Sequence, residues 1–320
     1  MATAKRPWLR YMRLALAICG IVALAGVVRH AGPATILALV DEALPWMPLV
    51  LVLEGARIGC DALATGLVLK NRAHDLGSMR IMLAHVVAHG VMNVLPGGRG
   101  AAEVAKGLLF RRDIGAATAT ALGAANQANV LVSAAAFSVP CAIGASLISS
   151  DRTLVFAIAI HSTVLFSTGL AVRALATSQR FAHVLGSRVR RWKAPLQRYM
   201  DASREVSRGS AGPVAAMMFG RALQTLQFAV LAQAVGLRVD VAVALAIQGA
   251  DQVAAAVGVL VPAQIGMSEG VFMLAANALG TTEARATSVA LLAHASSLTW
   301  AGAGMLLLFV WRGRAQQNSS

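Results

Sequence analysis

Nine charged side chains sit in segments that are otherwise apolar: the cations Arg57, Arg99, Lys106 and Arg221, and the acids Glu54, Asp61, Glu103, Asp251 and Glu269. A charge at the centre of a bilayer costs about 2.5–3.5 kcal/mol on insertion scales, so such residues normally face a bundle interior or a wet cavity and have partners. Buried guanidinium and ammonium groups suit an anionic or polar ligand, and buried carboxylates suit holding those cations or carrying a proton. Glu54, Arg57 and Asp61 are three and four residues apart, which puts them on one helix face, and Glu103 and Lys106 can pair in the same way. Two uses stay open for these groups, mutual satisfaction that fixes packing and a substrate or transport site.

The carboxylates also mark an internal repeat. Pro96, Gly100 and Glu103 have the spacing Pro-x3-Gly-x2-Glu, and Pro262, Gly266 and Glu269 repeat it 166 residues later. An arginine precedes each copy at nearly the same distance, Arg57 at 46 residues before Glu103 and Arg221 at 48 before Glu269. Each glutamate falls one turn past a glycine tip, where a helix N-terminus favours a carboxylate or an anionic ligand. The candidate substrate-binding or transport residues are therefore Arg57, Glu103, Arg221, Glu269, Arg99 and Lys106. The hairpin tips are Pro96, Gly97, Gly98, Gly100, Pro262 and Gly266.

The elements that must position these residues are membrane helices. Of the 320 residues 57% are hydrophobic and only 13% charged, about half the charged share of an ordinary soluble domain, and the apolar residues fall in blocks long enough to cross roughly 30 Å of hydrocarbon. Six spanning helices are expected at 14–28, 46–69, 116–138, 153–172, 212–235 and 286–310. Residues 1–28 have the basic start of a signal peptide, but no small-x-small cleavage site follows, so they read as a first membrane helix. Two further stretches, 81–110 and 241–280, are broken by proline and glycine. The arms 81–95 and 101–110 would be about 22 and 15 Å long as helices, short of a crossing, and basic residues flank both outer ends. The first stretch is therefore expected as a re-entrant helical hairpin whose tip is tolerated because it lines protein or a cavity. The second is expected as a hairpin from the opposite face, with 241–260 long enough to span fully.

The expected fold is all-α and polytopic, about six spanning helices plus two Pro/Gly-broken re-entrant hairpins, in a single membrane domain over 1–320. Its repeat halves run from about 46 to 138 and from 212 to 310. The first starts outside and the second inside, which makes the repeat inverted, a frequent construction among secondary transporters. With both termini cytoplasmic, cytoplasmic segments hold 20 of the 28 Lys and Arg and outer loops four, namely Arg29, Arg152, Arg238 and Arg285, the bias that orients membrane proteins. That distribution accounts for the formal charge of +14 without nucleic acid. Nine of the basic residues lie in 173–209, where Phe181, Val184, Leu185, Val189, Trp192, Leu196, Tyr199 and Met200 recur at helical spacing. A basic helix with an apolar stripe suits an anionic lipid surface, and a solvated linker is the alternative.

Other polar residues lie within the helices. His85, His89 and Asn93 line one face of the first broken stretch and read as an interhelical hydrogen-bond stripe rather than metal or haem ligands, because no third ligand or CxxCH accompanies them. Asn126, Gln127 and Asn129, with Gln248, Asp251 and Gln252, are expected to bond across helices or line the same cavity. Cys19, Cys60 and Cys141 lie in apolar segments with no CxxC pair. Hydrolase, nucleotide-binding and metalloprotease signatures (GxSxG, a Walker loop, HExxH) are absent, so neither an enzyme nor a cofactor is expected.

The run Asn-x-x-Pro-Gly-Gly-x-Gly-x-x-Glu with its short helix and basic pair (Asn93 to Arg112), and the late Pro-x3-Gly-x2-Glu-Gly (Pro262 to Gly270), resemble the flippase-like integral membrane family that is similar to the transmembrane region of lysylphosphatidylglycerol synthase. The resemblance covers nearly the whole chain, and the length is close to that of the family's hopanoid-biosynthesis-associated branch. Ala263, Gln264 and Ser268 stand where the family's late motif usually has two glycines and an arginine. The resemblance implies a multi-pass protein of the bacterial inner membrane that translocates a lipid, with a midplane cavity between opposed hairpins. Arg57 and Arg221 would contact a polar headgroup, and Glu103 and Glu269 would hold those arginines or titrate. The chain stops ten residues past its last helix, so the aminoacyl-transferase activity of the full-length synthases is not expected. The implied partners are membrane lipids, hopanoids or a lipid made alongside them; the alternative roles are a non-transporting partner of lipid-synthesising enzymes, docked through 173–209, or a membrane enzyme acting on a lipid.

Overall fold

A computed structural model describes residues 7–95, 98–188, 193–206, 211–259 and 261–317. No strand occurs among them. Five stretches are long and apolar enough to cross a membrane: Pro33–Leu69, Ala116–Ile148, Thr153–Thr177, Ala211–Ala234 and Glu283–Val310. The crossing expected at 14–28 lies in α1 (Pro7–Ala31), whose apolar part, Ala17–Ala31, is shorter. The connection expected after it is itself helical: α2 (Pro33–Ala43) runs through a short 3-10 turn into α3 (Met47–Leu69).

Each broken stretch forms a pair of helices. The first consists of α5 (Ser78–Val94) and α6 (Gly98–Ile114), which pack on one another after a short α4 (Ala73–Leu76). At 17 residues each, the two arms are about 25 Å long. Arg80 Nη1 donates to Asp113 Oδ1 at 2.8 Å, joining the open ends of the pair. Pro96 and Gly97 of this tip lie outside the described residues. In the second pair α12 (Val241–Val257) packs against α13 (Met267–Ala275) across a 3-10 turn at Pro262–Gln264. Asp240 caps α12 by accepting the Val243 amide at 2.8 Å, and the helix ends after 17 residues, shorter than the full 20-residue arm expected.

The long helices α7 (Ala116–Ile148), α8 (Thr153–Thr177), α11 (Ala211–Ala234) and α14 (Glu283–Gln317) enclose these pairs. The main core joins Val50, Phe137, Ile158, Phe228, Leu231, Ile247, Phe272 and Val289 from seven helices. Close crossings use small residues, as membrane bundles do: Gly220 of α11 sits against Cys60 and Arg57 of α3, and a Cβ at Gly304 of α14 would collide with the Val86 carbonyl of α5. Outward faces stay apolar, with Leu147, Phe156, Leu274 and Phe309 largely exposed, as lipid contact allows.

The stretch 173–209 is not one helix. Its start completes α8, and α9 (Gln179–Arg188) and α10 (Lys193–Val206) follow. α10 packs on α7, burying Met200, Ala202 and Val206, with Tyr199 half-buried. Its Glu205 accepts Arg72 Nε at 3.0 Å, and Ser203 donates to the Ala176 carbonyl at 2.9 Å. Part of the apolar stripe is therefore spent on the protein's own core; Val184 is exposed, and Val189 and Trp192 lie outside the described residues.

Candidate functional site: a polar cavity between the two broken helix pairs

α3 and α11, the helices that carry the duplicated arginines, pack directly on each other. Arg57, near the middle of α3, and Arg221, near the middle of α11, consequently wall one cavity of about 450 Å³. Both interrupted segments reach the same space: Leu95, Gly98, Arg99 and Gly100 from the first tip, and Val259, Val261, Ala263, Gln264 and Ser268 from the second. Irregular backbone at membrane depth is tolerated where it lines a cavity, and both tips do so.

Arg57 is a fixed member of the wall. Its Nη2 donates to Glu54 Oε1 at 2.6 Å and its Nε to Glu54 Oε2 at 3.1 Å, with Asp61 Oδ2 3.7 Å from Nη1. The face read from the spacing 54, 57 and 61 thus forms as an ion-pair ladder. Arg99 reaches the same Asp61 at 3.9 Å. Arg221 differs from both, because among the described residues no carboxylate lies within ion-pair distance of it. On the same wall Gln224 Nε2 donates to Asp251 Oδ2 at 3.1 Å, and Gln224 Oε1 accepts from Gln248 Nε2 behind it at 3.4 Å.

The two motif glutamates do not hold the two arginines. Glu103 Oε1 accepts Lys106 Nζ at 2.7 Å, and this pair lines a separate void of about 40 Å³ beside Arg57, Asp61, His85 and Arg99. The i,i+3 spacing within one helix brings Lys106 closer than any residue of another helix, which is why the local partner wins. Glu269, only 1% exposed, accepts the Gly266 amide on Oε2 at 2.8 Å and lies 2.9 Å from His294 Nδ1 on Oε1. It therefore caps α13 and ties the second tip to α14. Pro262 and Gly266 belong to that tip without lining the cavity.

The remaining polar positions are divided between packing and wall. His85 Nε2 meets Thr65 Oγ1 at 2.8 Å, and Asn126 Nδ2 donates to the same hydroxyl at 2.9 Å. His89 Nε2 is 3.2 Å from both Ser297 oxygens, and Asn93 Nδ2 donates to the His89 carbonyl. The interhelical stripe is thus confirmed as a hydrogen-bond ladder. Ser138 donates to Gln252 Oε1 at 2.8 Å across α7 and α12, while Gln127, Asp251 and Gln252 also line the cavity. His161, Gln224, Gln227, His294 and Ser297 share the wall and are missing from the sequence reading. The signal was present: Arg221, Gln224 and Gln227 are spaced by three, and so are His294 and Ser297, on one face of otherwise apolar helices.

A helical protein with five stretches long and apolar enough to cross a membrane, enclosing a charged cavity lined by two broken helix pairs, belongs to the class of multi-pass membrane proteins. Residues 12–304 match the family model described as the lysylphosphatidylglycerol synthase TM region. The chain belongs to that family. No curated protein and no solved structure matches it.

Proposed function

We propose that the protein translocates a lipid across a bacterial inner membrane, with its termini cytoplasmic, and that the headgroup passes through the cavity between the two tips. The observation that carries this reading is Arg221: a guanidinium inside a cavity, without a carboxylate partner among the described residues, where a lone charge is costly unless a ligand shares it. Arg57, already neutralised by Glu54, shapes the site, and Arg99 adds a second donor from the first tip. The order of elements supports an inverted repeat, since α3, a broken pair and α7 are followed by α11, a second broken pair and α14, the construction in which alternating access rocks one half against the other. The branch resemblance points to hopanoids or a lipid made alongside them as cargo, and the basic residues of α9 and α10 give the cytoplasmic end an attraction to anionic lipid.

The test is lipid distribution between leaflets in cells producing Arg221→Gln or Arg99→Gln at wild-type protein level. Loss of redistribution with normal lipid synthesis supports transport. Normal redistribution in the double variant refutes the site, and a loss of lipid synthesis in place of redistribution supports a role as partner of the synthesising enzymes.

A further inference from the structure

Besides the Arg221 donors, two polar atoms at the cavity wall are left without a partner, and both can accept. Glu269, ionised, can only accept, and it already accepts the Gly266 amide. Its contact with His294 at 2.9 Å therefore requires Nδ1 of the imidazole to carry the proton. In the neutral imidazole the other nitrogen, Nε2, then holds a lone pair; it is buried and has no hydrogen-bond partner. The His294 side chain is only 10% exposed and walls the cavity. Gln127 Oε1, from α7 on the same wall, is likewise buried without a partner. Leaving such atoms unpaired is costly, so a ligand that brings donors to them is selected.

Three classes of headgroup can be compared with this wall. A bare phosphate satisfies Arg99 and Arg221 but offers no hydrogen to His294 or Gln127. An ammonium offers hydrogens but meets three guanidiniums against two carboxylates, Glu54 and Asp251, and is repelled. A pair of hydroxyls donates one hydrogen to each acceptor, and each oxygen still accepts from an arginine.

We propose that the cavity recognises a polyhydroxylated headgroup, a sugar or polyol carried on a lipid, and that His294, oriented by Glu269, and Gln127 accept its hydroxyl hydrogens. The inference rests on the lipid-translocation reading and narrows its cargo. The Glu269–His294 pair also makes the second tip part of the recognition, since the carboxylate that orients the imidazole is the one that caps Gly266.

The experiment uses the full chain in phosphatidylcholine nanodiscs and two short-chain lipids of equal charge, dioctanoyl-phosphatidylinositol and dioctanoyl-phosphatidylmethanol. Thermal stabilisation is titrated with each. The expected result is binding of the inositol lipid about tenfold tighter, with that preference lost in His294→Phe and Gln127→Leu while affinity for the methanol lipid is retained. Where His294→Phe fails to fold, Gln127→Leu and the wild-type comparison decide alone. Equal binding of both lipids to the wild type, or equal weakening of both by the variants, overturns the inference and leaves lipid translocation standing. Binding of neither lipid overturns both.

Discussion

The second tip holds two residues in a conformation that favours glycine. Ala263 and Gln264 have φ of 53° and 59°, and they occupy the positions where the family motif usually places a glycine pair. Left-handed backbone costs an L-residue about 1–2 kcal/mol, whereas a glycine there would lose about 0.5–1 kcal/mol more backbone entropy on folding. The double variant Ala263→Gly, Gln264→Gly should therefore be more stable by about 1–2 kcal/mol, raising Tm by roughly 2–3 °C in a chain of this size. Two residues further on, the sign reverses. Gly266 has φ of 79°, and a Cβ there would collide with the Gly20 carbonyl and come within 2.7 Å of the Leu24 nitrogen and 2.9 Å of the Ala23 side chain of α1. Gly266→Ala should cost about 2–5 kcal/mol from strain and overpacking together. Thermal unfolding of the purified protein, followed by fluorescence, reads both. A destabilised glycine double variant, or an unchanged Tm for Gly266→Ala, would refute this account of the tip backbone.

Further outcomes follow from the ion pairs and crossings. Glu54→Gln strips Arg57 of its close partner in a buried site and should destabilise by about 3–5 kcal/mol, seen as a lower yield of folded protein. Glu103→Gln and Lys106→Met should each do so as well, while the double replacement recovers much of the loss because no buried charge is left alone; a fully additive double variant would contradict the pairing. Gly304→Val should separate α14 from α5 and reduce membrane protein level, whereas the same change at Gly302, with open space around it, should be tolerated. Reporters after Arg314 and near Arg191 should be cytoplasmic and one near Asp41 external. A result with Arg191 and Arg314 on opposite faces would rule out this orientation.

Apolar block length made the membrane class legible and the proline and glycine interruptions the two broken pairs, while the charge pattern marked Arg57, Arg99 and Arg221, which desolvation forces toward a shared interior. It also made the Glu54–Arg57–Asp61 and Glu103–Lys106 pairs legible, since their spacing is fixed within one helix. What it did not show was the partner of Glu269. His294 lies 25 residues away on α14, and only the packing of α13 on α14 brings the two together. The helix α2 was hidden because its apolar run is short and its proline sits at the first helical position, where it starts a helix rather than breaking one. The continuous amphipathic helix over 173–209 failed for a related reason: periodicity marks an apolar face but does not say whether lipid or α7 covers it.

The claim that one cavity between the tips receives a lipid headgroup is tested most directly by an experimental structure of the protein in nanodiscs that contain its native lipids. The account predicts headgroup density within hydrogen-bond distance of Arg221 and Arg99, bordered by Gly98, Gly100 and Gln264 from the two tips. Lipid density confined to the outer apolar faces, with only water beside Arg221, would contradict it.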